Sequence, residues 1–159
     1  LSGRLEHKDS EGNHGEIYPG LAQRMSAGTG IWHSEMNPSP SEDVHFVQMW
    51  VLPDTERLDP GYEQLDISSE LDRGGLVPVA SGRAHDAAIS IRQRDAVLLV
   101  ARLAAGESVT LPDAPYVHVF VARGAVDLAV WDIETPSELA YWLGKPLLHA
   151  RYVDGEKVG

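Results

Sequence analysis

The sequence predicts an all-β protein, and three observations carry that expectation. Several runs are rich in β-branched and aromatic residues and too continuous for an amphipathic helix. The 15 glycines and 10 prolines are spread along all 159 residues as turn punctuation rather than gathered in one block. One segment only carries a full set of helix start and stop signals. Many short strands with closely spaced turns suggest a sandwich or a barrel. Val44-His45-Phe46-Val47-Gln48-Met49-Trp50-Val51-Leu52, stopped by Pro53, reads as a buried strand. Residues 96–103 and 116–122 are of the same kind, and residues 107–111 alternate polar and apolar as a half-buried strand does. Weaker strands are expected at 5–8, 15–18, 23–26, 76–80 and 87–91.

The helix is expected over 136–143. Thr135-Pro136-Ser137-Glu138 is a capping box with proline at the first helical position, and Gly144 and Pro146 supply the stop. Two turns do not stand alone in water, so Leu139, Tyr141, Trp142 and Leu143 must pack on something. Acidic residues, Pro60-Gly61 and Gly74-Gly75 mark 53–75 as a linker. The expected organisation is therefore 1–52, the linker 53–75, a second half over 76–131 and a tail over 132–159.

Charge narrows the function. Thirteen Lys and Arg against 24 Asp and Glu give a formal charge of −11, the wrong sign for a phosphate backbone or an anionic membrane surface. With no cysteine there are no disulfides, zinc thiolates or thiol catalysis. No run approaches the roughly 18 apolar residues of a membrane span, and residues 1–7 lack a signal-peptide layout. A cytoplasmic protein without nucleic-acid or membrane partners is expected.

The most informative stretch is 12–37, where the turn Pro19-Gly20, a strand and the turn Ala27-Gly28-Thr29-Gly30 lead into His33-Ser34-Glu35. In an extended segment His33 and Glu35 point to one face. An imidazole beside a carboxylate suits a divalent transition ion such as Fe, Ni, Cu, Mn or Zn. A surface hydrogen-bonded pair is the plain alternative.

Leu1-Ser2-Gly3-Arg4-Leu5-Glu6-His7-Lys8-Asp9-Ser10, Gln23-Arg24-Met25-Ser26-Ala27-Gly28-Thr29-Gly30-Ile31-Trp32-His33-Ser34-Glu35-Met36-Asn37 and Pro60-Gly61-Tyr62-Glu63-Gln64 resemble the pirin family, bicupin proteins that include bacterial quercetin 2,3-dioxygenases. The resemblance runs from residue 1 to about residue 128. It implies a cupin-type double-stranded β-helix, a bicupin; the chain departs from that pattern in an N-terminally incomplete first barrel and in the one short C-terminal helix that its own capping signals predict. It also implies one divalent metal held by three histidines and one glutamate, of which His33 and Glu35 match the last two. The first two belong to a His-x-His motif on preceding strands, and this chain contains no His-x-His. His7, at the end of a strand, and His14, expected in a turn, do not replace it.

Two function classes follow. In the first, the chain is a metal-dependent dioxygenase acting on a flavonol such as quercetin, with His33 a metal ligand and Glu35 both ligand and catalytic base. In the second, it is a non-catalytic module that binds a protein partner, or a fragment of the enzyme. Missing first strands would leave an edge for a homo-oligomer to pair through, near 1–8 or at 44–52. Trp32, Met25, Met36, Met49 and Phe46 are expected in the core, and so is His118. His45, His85 and His149 are expected to be structural or exposed, and the carboxylates of 59–70 to be a solvated linker face.

Overall fold

The computed structural model describes residues 1–83, 87–130 and 148–153. These residues form strands with one short helix: β1 Leu5–Asp9, β2 His14–Ile17, β3 Leu21–Ser26, β4 His33–Met36, β5 Gly61–Asp66, α1 Ser68–Asp72, β6 Val77–Ser81, β7 Ile89–Ser90, β8 Val97–Val100, β9 Ser108–Thr110, β10 Ala125–Val130 and β11 Leu148–Val153. The all-β expectation holds. The chain divides into two compact units, Leu1–Ala101 and Arg102–Gly159.

In the first unit, β1 is the middle strand of the sheet β2-β1-β4, antiparallel to both neighbours. Its alternation shows why: Leu5 and His7 are buried while Lys8 faces solvent, as the two-residue period of a pleated strand requires. The turn into β2 is closed by the Asp9 carboxylate, which accepts the backbone N–H groups of Glu11 at 3.0 Å and Asn13 at 2.9 Å. This is the Asx-type turn chemistry expected of aspartate. The turn before β4 needs glycine at position 28, where φ is +55° and a Cβ would collide with the Leu58 carbonyl and Pro60 nitrogen.

A second sheet pairs β3 with β5, and a third has the order β7-β6-β8. Ile67 and Leu71, in and beside α1, pack with Val77 and Val79 of β6 as the buried core, and Ala22, Ala88, Leu98 and Val100 lie against it. The second unit contains the antiparallel sheet β10-β11-β9.

Several expectations are corrected. Residues 53–75 are not simply a linker: β5 pairs with β3 along its whole length, and α1 belongs to the core. Several of their acidic residues also have partners. Glu63 accepts the Ser90 N–H and hydroxyl, both at 3.2 Å, and Asp66 accepts the Ser68 N–H at 2.8 Å. The grouping of the first unit extends to Ala101 rather than stopping at 52. Part of the tail, 148–153, is β11, whereas the helix expected over 136–143 lies outside the described residues, as does His85.

Neither 44–52 nor 116–122 is a strand. The first makes one isolated bridge, Ser2 to His45, and is otherwise exposed, with Trp50 at 92% and Leu52 at 86%. A strand is completed by a neighbour's hydrogen bonds, and among the described residues no strand pairs with 44–52. Within the edge expected at 1–8, β1 is bonded to a strand on each side in this chain. Phe46, Met36 and Met49 are exposed rather than in the core, and Trp32 is 86% exposed. Met25 is half-buried, and His118 is exposed, because the face it shares with Tyr116 and Phe120 points to solvent. His14 lies in β2, not in a turn.

Candidate functional site

The site is built on the face shared by β1 and β4. In the antiparallel register His7 lies opposite Glu35 and Asp9 opposite His33. Residues two apart on each strand face the same way, so two imidazoles and two carboxylates form a square with unlike groups across the strands. His33 and Glu35 thus share a face, as their spacing predicts, with the His33 side chain exposed and Glu35 partly buried.

His7 is the largest fully buried side chain among the described residues, at 0% exposure. Its Nε2 lies 3.3 Å from Asp9 Oδ2, and its Nδ1 lies 3.5 Å from Glu35 Oε1. The second distance is longer than an N–H···O bond of ordinary geometry, and Nδ1 is a buried polar atom without a hydrogen-bond partner. The His7 ring stacks on that of His33, with centroids 6.1 Å apart and planes at 24°. Tyr62 of β5 covers it with its own ring at 5.0 Å. The other carboxylate oxygen of Glu35, Oε2, accepts a hydrogen bond from Gln48 Nε2 at 2.8 Å.

Charge is organised around these groups. Burial pushes the Asp9 carboxyl up, but the Asn13 side chain and backbone, His7 and the Glu11 N–H outweigh it, holding Asp9 below the usual carboxylate range. The Asn13 Nδ2 donor contributes a bond of 2.8 Å. Burial pushes the Tyr62 phenol up, and the negative charges of Asp9 and Glu35 act in the same direction.

The donor set of His33 and Glu35, a borderline nitrogen and a hard oxygen on one strand face, fits two positions around a divalent transition ion. Among the described residues no three His, Asp or Glu side chains are placed to hold an ion together. His7 does not serve as a third donor, because its nitrogens are directed at Asp9 and Glu35. The sequence reading set His7 aside and did not single out Asp9, Gln48 or Tyr62. The alternation of Leu5, His7 and Asp9 along β1 was available as a signal. The pairing of β1 with β4 was not, because β2 and β3 intervene in the chain.

Comparison with known proteins bears on the family and the fold. The Pirin family profile matches residues 1–51. A Mycobacterium tuberculosis H37Rv protein, provisionally named a quercetin 2,3-dioxygenase, is 57% identical over 129 residues, covering 80% of this chain and 53% of its own length. The quercetin 2,3-dioxygenase of Escherichia coli K12 is 35% identical over 143 residues, covering 89% of this chain and 61% of its own. The solved structure of the bacterial pirin YhhW from Escherichia coli, in complex with nickel(II), superposes with a TM-score of 0.68 at 28% identity, over 96% of this chain and 60% of that one. This chain spans about half the length of the mycobacterial relative it matches. Among its described residues no helix is long and apolar enough to cross a membrane. The profile match over residues 1–51, the relatives and the shared fold together make this chain similar to the pirin family.

Proposed function

We propose that this chain carries part of the active site of a metal-dependent dioxygenase of the quercetin 2,3-dioxygenase type, with His33 and Glu35 as two of the metal donors. The observation that carries the reading is their shared face on β4, with Glu35 Oε2 held by Gln48. A divalent ion at these donors supplies Lewis-acid polarisation of a flavonol's hydroxyl oxygens. Glu35 takes up the hydroxyl proton at Oε1, the oxygen that accepts no hydrogen bond of ordinary length. His33, exposed at the strand face, is accessible to ion and substrate. Two protein donors leave the remaining positions to water or to another polypeptide segment, which fits a chain spanning about half of its mycobacterial relative.

The test is a nickel(II) titration of the chain followed by calorimetry, with oxygen uptake and quercetin absorbance measured on the loaded protein. Saturable binding that His33→Ala abolishes, with oxygen-dependent loss of quercetin, is the expected result. A second reading, a pirin-like module that binds a protein without turnover, is favoured by the lack of a three-donor group among the described residues. Absence of nickel binding and of quercetin loss in the folded chain would replace the first reading with the second.

A further inference from the structure

A buried imidazole behind the two donors is an unexpected choice for the central strand of a sheet. Position 7 alternates with Leu5 and is as enclosed, so an apolar side chain would satisfy packing alone. Histidine there carries a cost instead, because Nδ1 is removed from water without gaining a hydrogen bond. What the ring does is touch both donors at once. Its Nδ1 edge meets Glu35 Oε1 at 3.5 Å, and its face stacks on His33.

We propose that His7 is a positioning residue that holds the side chains of Glu35 and His33 in one fixed arrangement. It does so from a ring that is itself fixed. Asp9 faces Nε2 at 3.3 Å and is anchored in turn by Asn13, while Tyr62 packs against the ring. Glu35 then has the His7 ring edge packed 3.5 Å from Oε1, a contact without a hydrogen bond, and the Gln48 hydrogen bond at Oε2, and the two together limit the rotation of its carboxylate. Groups lying behind metal donors commonly set donor orientation in this way. The inference rests on reading His33 and Glu35 as donors, but its structural content does not require the ion.

Two variants separate the two contacts. His7→Phe keeps a ring against His33 and removes the nitrogen facing Glu35; His7→Gln keeps a polar end and removes the ring. The readouts in metal-free protein are the NMR signals of the Gln48 side-chain amide, which reports Glu35 through its hydrogen bond, and of the His33 ring. His7→Phe is expected to shift the Gln48 amide towards a solvated amide while leaving the His33 ring near its wild-type position, and His7→Gln to do the reverse. Equal disturbance of both probes by both variants, or of neither, would overturn the proposal, since a merely stabilising residue gives no such crossing. Should neither variant fold, three-bond couplings across χ1 of Glu35 and His33 in the wild-type chain decide. Single rotamers are expected, and averaged couplings would overturn the assignment. With nickel(II) as the probe, His7→Phe is expected to weaken binding by about 10- to 100-fold. If the wild-type chain binds no nickel, the donor reading fails while the NMR arm still judges His7.

Discussion

β1 and the segment 44–52 end in opposite environments to those their residues suggest. The segment is the more apolar of the two and carries the stronger strand signal, yet it makes a single bridge and exposes Trp50, Val51 and Leu52. β1 has one leucine and four polar or charged residues, yet it is the centre of its sheet and contains the most enclosed large side chain described. The difference lies in partners. β1 has a neighbour on each edge, so its backbone groups are satisfied and its inward side chains are covered. Strand propensity measures how well a residue fits a covered, pleated surface, and 44–52 has no such surface among the described residues. Its one link to the candidate site is a side chain, that of Gln48 on Glu35.

The comparison can be broken most directly at Leu5. This residue is 4% exposed, and Leu5→Ala is expected to lower unfolding stability by about 3 kcal/mol, read from the urea midpoint. A cost near that of a surface substitution would mean that the β1 sheet is not the covered structure described. Asp9 gives the next test. Because its folded-state pKa is depressed, it contributes stability that is present above the ordinary carboxylate range and is lost as pH falls through the folded value. Asp9→Asn should therefore flatten the fall of the melting temperature on acidification; an unchanged acid limb would remove Asp9 from that role. The smallest effect is expected at Trp50. Trp50→Ser should change stability by no more than about 0.5 kcal/mol in denaturant titration, because the side chain is 92% exposed. A larger loss would show that 44–52 is covered in solution and would narrow the contrast with β1.

Much of this organisation was legible in the residues. The strands β1, β2, β3, β6, β7, β8 and β9 lie within or close to the segments that periodicity and turn residues mark, and β4 is the extended segment assumed for His33 and Glu35. His33-Ser34-Glu35 announces a two-donor face because side chains in a strand alternate. The helix signals at 135–146 fall outside the described residues. β5 escaped because Gly61-Tyr62-Glu63-Gln64-Leu65-Asp66 looks like polar linker on its own, and its pairing with β3 is what makes it a strand. α1 escaped because five residues with no side-chain N-cap bond hold little local signal. Ile67 and Leu71 become core residues only against Val77 and Val79.

By itself the sequence determined the local rules: where turns fall, which residues alternate, the net acidity and the pirin-like pattern that carries His33 and Glu35. Tertiary structure alone decided which strands meet. It put His7 opposite Glu35 and Asp9 opposite His33, enclosed an imidazole between two carboxylates, and left an apolar segment uncovered. The physical reason is range. Turn chemistry and side-chain alternation are set within a few residues, whereas burial and cross-strand contact depend on groups far apart in the chain, and one-dimensional periodicity does not encode which of them become neighbours.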